Sequence, residues 1–184
     1  RRAPHPTRLG LGRSWPWLKR WGFEPALQAI TMRDDLKTYL GLKDVLRQGW
    51  VNVGVESPES VAAHSWGMAI IALKMCPDDL NLEHVLKLCL VHDLPEVIVG
   101  DLTPLDDVST KSEDERAAME QIAPEWVSLF DEYENQTTPE AVFVKRLDKL
   151  DMALQAQIYM DRGDIDLEQF IDSARKTLGD HALL

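Results

Sequence analysis

Residues 57–75 read SPESVAAHSWGMAIIALKM, and the fold of the chain turns on them. Ser57 followed by Pro58 predicts a helix N-cap with proline at the first helical position. Beyond it Val61, His64, Met68, Ile71 and Met75 recur at the 3,4,3,4 spacing that makes one face of an α-helix. Working outward, the same kind of pattern repeats. Downstream, Asn81 caps a segment in which Val85, Leu88, His92 and Val99 share a face interrupted by Pro95. Ser112 and Glu115 form a capping-box pattern for a short helix ending near Ile122. Ala123-Pro124 begins another, with Trp126, Leu129, Phe130 and Tyr133 apolar, and Thr138-Pro139 opens a long helix through about Met160. Asp166 opens the last, with Leu167, Phe170, Ile171, Ala174 and Leu178 inward and Gly179 as its stop. Upstream, the acidic pair Asp34 and Asp35 suits the start of a helix from Asp35 to about Gln48. Trp50 to Val55, with valines at 51, 53 and 55, alternates as a strand does, but no second such run can pair with it, so an extended connector is expected. The expectation is an all-α domain of about seven helices with no significant sheet and no internal repeat.

The chain of 184 residues is 45% hydrophobic and 28% charged, the composition of one soluble globular domain with a sizeable core. No stretch approaches the ~18 consecutive apolar residues of a membrane span, and no secretory leader is visible, so a cytoplasmic protein is expected. Cys76 and Cys89, both inside apolar helical patterns and without Cys-x-x-Cys spacing, read as core filler. The formal charge of −11 disfavours a nucleic-acid-binding surface. Its distribution is uneven. Residues 1–31 carry Arg1, Arg2, Arg8, Arg13, Lys19 and Arg20 against Glu24, a net +5, so residues 32–184 carry −16. The same 31 residues hold three of the six tryptophans and four of the ten prolines without periodicity, and helical pattern begins after Met32. We therefore divide the chain into a basic extension, 1–31, expected to be disordered or foreign to the native protein with Met32 as its start, and a helical domain, 32–184. A targeting presequence is the competing expectation for the extension, although only Ser14 supplies the serine such peptides favour.

Several catalytic signatures are missing: no Gly-x-x-x-x-Gly-Lys, Gly-x-Gly-x-x-Gly, Gly-x-Ser-x-Gly or His-Glu-x-x-His. What remains is a set of polar residues where a helical core should be apolar. His64 lies between Val61 and Met68, and His92, followed by Asp93, lies between Leu88 and Val99. Asp148 stands one turn after Val144, with Asp151 three residues on. Two buried imidazoles and two buried carboxylates without a cation lose several kcal/mol of hydration per unpaired charge, and a divalent ion relieves that cost. Such a donor set suits a borderline metal and leaves positions open, which points to catalysis. Glu96, one turn after His92, and Asp101, at the helix exit after Gly100, are placed to handle water and protons. Each also reads as a solvated acid at a frayed helix end.

Taken together, Pro58-Glu59-Ser60-Val61-Ala62-Ala63-His64-Ser65-Trp66, His92-Asp93-Leu94-Pro95-Glu96 with Gly100-Asp101, and Leu147-Asp148-Lys149-Leu150-Asp151 with Gln155-Ala156 resemble the HD-domain metal-dependent phosphohydrolases. More narrowly they are similar to the HD-domain 5′-deoxynucleotidases, over about Leu36 to Tyr159. The resemblance implies an HD-domain helical bundle with His64, His92, Asp93 and Asp148 as ligands of one divalent ion, which manganese, cobalt, iron, zinc or magnesium would satisfy. It implies Glu96 and Asp101 as catalytic acids, and Arg47 and Trp50 as contacts to phosphate and deoxyribose. The sequence departs from the family pattern in three places. Trp50 stands three positions after Arg47 rather than directly after it, Ala63 replaces an acidic residue before the first histidine, and Val53 replaces a basic one before the connector glycine.

The implied activity is hydrolysis of 5′-deoxyribonucleoside monophosphates by a homodimer, with a small nucleotide as the binding partner rather than nucleic acid or membrane. An anionic substrate beside so many acids needs cations, for which Arg47, Lys145, Arg146 and Lys149 are candidates. The alternatives are an HD-domain hydrolase of a nucleoside triphosphate, cyclic nucleotide or biosynthetic intermediate, a non-catalytic nucleotide sensor, and a plain helical bundle with an internally paired polar core.

Overall fold

The computed structural model describes residues 26–184 except 104, 105, 107, 108, 164 and 180, with backbone alone for 26–31. The chain divides into two compact units, Arg1–Leu36 and Lys37–Leu184. The expectations for residues 1–25 lie outside the described residues. Helix does not wait for Met32, however: α1 spans Ala26–Leu40. A 3-10 turn at Gly41–Lys43 follows, then α2 (Gln48–Asn52), α3 (Val61–Met75), α4 (Leu82–Val91), α5 (Glu96–Val99) and α6 (Lys111–Ile122). After a second 3-10 turn at Pro124–Trp126 come α7 (Val127–Asn135), α8 (Pro139–Arg162) and α9 (Glu168–Leu178). Among the described residues seven of these helices run nine residues or longer, and there is no strand, only an isolated antiparallel bridge between Leu46 and Ser60. None is long and apolar enough to cross a membrane.

Where a cap lies beside its own helix, the sequence places it correctly. Asn81 accepts from His84 N, and Thr138 accepts from Ala141 N at the start of α8. The expected cap of α3 is displaced by one turn. Ser60, not Ser57, accepts from Ala63 N at 3.2 Å, because the bridge to Leu46 holds Ser60 extended and draws Ser57–Glu59 into the connector. The first helix ends at Leu40 rather than Gln48: at Gly41 a β-carbon would sit 3.1 Å from Val97 Cγ2, and the chain tightens into a 3-10 turn. The extended connector expected over Trp50–Val55 is instead a short helix and turn. With no partner strand, the backbone satisfies itself locally, Trp50 N and Val51 N donating to Arg47 O, Gly54 N to Val51 O and Val55 N to Trp50 O. Pro95 ends the regularity of the α4 face, so that the helix stops at Val91 and a turn through His92 leads into α5. The capping box of Ser112 and Glu115 does not form, because α6 starts at Lys111 and Glu115 pairs with Lys111 at 3.4 Å.

α8 is the central strut of the second unit. One side packs Leu150, Ala153 and Ala156 against Trp50 and against Leu167, Ile171 and Ala174 of the α9 segment. Another packs Val144 and Leu147 against Met68 and Ala72 of α3 and Val85 and Leu88 of α4. Each Val, Leu, Ile or Met side chain among these contributes about 1.5–3 kcal/mol by leaving water. Cys89 is buried here, its thiol pushed up to about 12 by that burial, which fits its reading as core filler. The polar residues of α3, α4 and α8 thus meet inside a well-packed apolar frame.

Candidate active site

Four polar side chains predicted from sequence converge where α3, the end of α4 and α8 come together. His64 is wholly buried and His92 is 3% exposed. His92 Nδ1 lies 3.0 Å from the carbonyl oxygen of Cys89, an acceptor only, so Nδ1 carries the proton and Nε2 is left with its lone pair. His64 Nδ1 lies 2.7 Å from Asp151 Oδ2. Both Nε2 atoms are buried without a hydrogen-bond partner among the described residues. They face the same carboxylates: Asp93 Oδ2 is 3.0 Å from His92 Nε2 and 3.8 Å from His64 Nε2, and Asp148 Oδ1 is 3.5 Å from His64 Nε2. His64, His92 and Asp93 each offer a donor atom within 4.8 Å of the others, with Asp148 at the edge of the group. Orphaned imidazole nitrogens beside carboxylates are costly unless a cation fills the space between them, and this donor set fits a divalent ion.

The electrostatics follow from the same crowding. Burial works to raise Asp93, but His92, His64 and Arg47 outweigh it and hold its carboxyl well below the usual range. Asp148 is likewise held low against burial by His64, Lys149 and Arg47. Burial and Arg47 oppose a charge on His64, yet Asp148 and Asp151 outweigh them and carry its pKa up to about 9. Glu96 goes the other way. It is 4% exposed, its Oε2 has no partner among the described residues, and burial together with Asp93 and Asp101 pushes it up to about 10.

Arg47, the N-cap of α2, reaches this group from the connector, its Nη1 3.8 Å from Asp93 Oδ2. Burial alone would lower its pKa, but Asp93, Asp148, Asp101 and Glu96 together raise it, so the guanidinium stays charged. Asp101 accepts from Gln48 N at 2.6 Å, which anchors the first turn of α2 to the exit of α5. Trp50 is only 1% exposed: its Nε1 donates to Glu59 Oε1 at 3.1 Å, and its ring packs on Tyr159 and Phe170 at 5.4 and 4.4 Å.

Arg47, Trp50, His92, Asp93, Glu96, Asp101 and Asp148 line a cavity of about 580 Å³, within the size range of small-molecule sites. His92, Asp93, Glu96 and Asp148 lie on its polar side, while Trp50, Met152 and Phe170 form an apolar wall. Of the lysine and arginine candidates on α8, Lys145 and Lys149 line the cavity and Arg146 is exposed. Lys149 Nζ is 3.3 Å from Asp148 Oδ2, and Lys145 Nζ sits 4.2 Å above the Tyr133 ring. Lys111, which sequence reasoning did not single out, also lines it. The contacts of two more residues are not legible in the sequence. Tyr133, read only as apolar, directs its hydroxyl to Asp148 Oδ2 at 3.5 Å, and Asp151, visible beside Asp148, pairs with His64. The spacing of three between Asp148 and Asp151 on one helix was the available signal.

Comparison with known proteins matches residues 41–183 to a family model described as an HD domain. The chain is 42% identical over 144 residues to 5′-deoxynucleotidase HDDC2 of Mus musculus, covering 72% of each chain. It is 40% identical over 145 residues to 5′-deoxynucleotidase hdd1 of Schizosaccharomyces pombe, covering 70% of this chain and 73% of that one. Among solved structures, a Pyrococcus horikoshii protein superposes with a TM-score of 0.72 at 33% identity, over 80% of this chain and 94% of the other.

Proposed function

The chain belongs to the HD-domain 5′-deoxynucleotidase family, and on that premise we propose that it is a metal-dependent phosphomonoesterase converting 5′-deoxyribonucleoside monophosphates to deoxynucleoside and phosphate. The observation that carries the reading is the pair of buried Nε2 atoms of His64 and His92, unpartnered among the described residues, facing Asp93 and Asp148, which line a nucleotide-sized cavity. A divalent ion held by His64, His92, Asp93 and Asp148 supplies Lewis-acid polarisation of a phosphoryl oxygen and lowers the pKa of water. Arg47, half-buried and charged, takes the phosphate dianion into a site rich in acids. With a divalent cation offsetting Asp93 and Asp148, Glu96 would give up the proton it holds in the metal-free site, and its Oε2, without a partner among the described residues, would then accept the proton of the attacking water as oxygen adds to phosphorus and the bond to the 5′ oxygen breaks. Asp101 spends Oδ2 on Gln48 N, which leaves Oδ1 to guide a proton from solvent to the departing 5′ oxygen. Trp50, Met152 and Phe170 offer the sugar and base an apolar wall.

We place this enzyme in the cytoplasm, acting on free nucleotides rather than nucleic acid, as the charge of −11 favours. We also propose that it works as a homodimer. Trp66, Ile70 and Leu73 stand 65%, 45% and 57% exposed along one side of α3, an apolar stripe that a second copy would cover. Sedimentation of the wild type against Trp66→Asp tests the pairing, and a monomer in both would end it.

The test of the activity is phosphate release from matched 5′-deoxy- and 5′-ribonucleoside mono-, di- and triphosphates, using chelator-treated protein with each divalent metal restored separately. Metal-dependent release that favours deoxy monophosphates is expected. Release only from a triphosphate would move the chain to another substrate of the superfamily. Tight nucleotide binding with no release from any substrate would make it a sensor.

A further inference from the structure

We infer that Asp151 is a positioning residue that fixes the His64 ring for metal binding, and that Gly67 occupies its place on α3 to admit the Asp151 carboxylate. The inference rests on the metal reading above. α8 delivers two carboxylates, one turn apart, to the two nitrogens of a single imidazole: Asp148 Oδ1 stands 3.5 Å from Nε2 and Asp151 Oδ2 stands 2.7 Å from Nδ1. Both oxygens can only accept when ionised, so the short contact keeps a proton on Nδ1 and turns Nε2 toward Asp93 and Asp148, where a bound ion would take its lone pair in place of a proton. A carboxylate acceptor also makes Nε2 a stronger donor than a neutral one would. His92 uses the neutral carbonyl of Cys89 for the same purpose, so the two imidazoles are oriented by acceptors of different charge.

Room for Asp151 comes from the opposite helix. A β-carbon at Gly67 would lie 2.2 Å from Asp151 Oδ1 and 3.2 Å from its Cγ, so no other residue fits there while the carboxylate stays. A glycine inside a helix is less favourable than an alanine, and here the space it leaves is occupied by one side chain. Glu59, His64 and Asp151 also lie within 4.8 Å as a group. A cation held there would need Nδ1 deprotonated and the proton moved to Nε2, which would remove His64 from the group with His92 and Asp93.

The experiment compares wild type, Asp151→Asn and Gly67→Ala. Divalent affinity is read by chelator competition, metal content by elemental analysis, and the imidazole protons by NMR of the Zn²⁺-loaded protein. Expected is one ion per chain throughout, with affinity about 10–100-fold weaker in both variants. The His64 Hδ1 resonance should move while that of His92 stays, and turnover lost at low metal should be recovered by excess metal. Asp151→Asn keeps the shape of the side chain, so it reports even if Gly67→Ala fails to fold. Wild-type affinity with an unmoved His64 resonance in Asp151→Asn would overturn the inference. Two ions in the wild type falling to one in Asp151→Asn would overturn it differently, making Asp151 a ligand. Failure of the wild type to bind any divalent ion would remove the metal reading itself, a result distinct from either.

Discussion

The indole Nε1 of Trp50 donates to Glu59 Oε1 across 3.1 Å, tying the short helix α2 to the segment that leads into α3. Because Trp50 is 1% exposed and packed on Tyr159 and Phe170, it acts first as the back wall of the cavity. Trp50→Ala should cost roughly 3–5 kcal/mol in stability, the usual price of emptying an aromatic site. Trp50→Phe retains most of the packing but strands a half-buried Glu59 oxygen, for roughly 1–3 kcal/mol. Urea unfolding of both variants checks this. A Trp50→Phe protein as stable as wild type would remove the hydrogen bond from the account.

The proposed mechanism separates residues that would hold a metal from one that would work beside it. Asp93→Ala should lose both bound metal and activity, since Asp93 Oδ2 faces both Nε2 atoms. Glu96→Ala should retain the metal and lose about 10²–10⁴-fold in turnover, the range for removing a positioned base. Elemental analysis beside phosphate release distinguishes the two. Activity surviving in Asp93→Ala, or a wild-type rate in Glu96→Ala, would reverse the assignment.

What the sequence makes legible here is what is local. Thr138 and Asn81 announce helices because a cap needs only the next three residues. His64, His92 and Asp148 stand out because each interrupts an apolar stripe at helical spacing. The stretch from Gly41 to Ser60 was misread because distant partners shape it. The Leu46–Ser60 bridge, the Asp101 contact to Gln48 and the burial of Trp50 beneath α8 and α9 are all absent from the local pattern. Asp151 was visible as a residue but not as a partner of His64, because that depends on α3 and α8 meeting at Gly67.

The raised pKa of Glu96 gives chelator-treated protein a particular pH dependence. An unfolded glutamate releases its proton near its ordinary value of 4.5, whereas folded Glu96 keeps it to about 10. Between those values the folded state binds the extra proton, so stability falls as pH rises. His64, raised to about 9, adds in the same direction above its ordinary 6.5. Glu96→Gln removes the first contribution alone. The variant should be more stable than wild type at pH 8, with the gap closing toward pH 4.5, as measured by urea unfolding in chelator. Parallel stability curves would mean that Glu96 is ionised in the folded state.

Arg47 is a half-buried cation that both pairs with Asp93 and lines the cavity, and its charge is held by four acids. Its loss should therefore show in binding of an anionic substrate more than in the metal. Charge-assisted hydrogen bonds contribute roughly 1.5–3 kcal/mol, so Arg47→Ala should raise KM for a nucleoside monophosphate about 10–150-fold while one metal ion remains bound. Arg47→Lys should recover part of this, because an ammonium restores the charge but not the planar fork that grips two phosphate oxygens. Steady-state kinetics at saturating metal provide the check. An unchanged KM in Arg47→Ala would transfer the phosphate to Lys111, Lys145 or Lys149, the other cations lining the cavity.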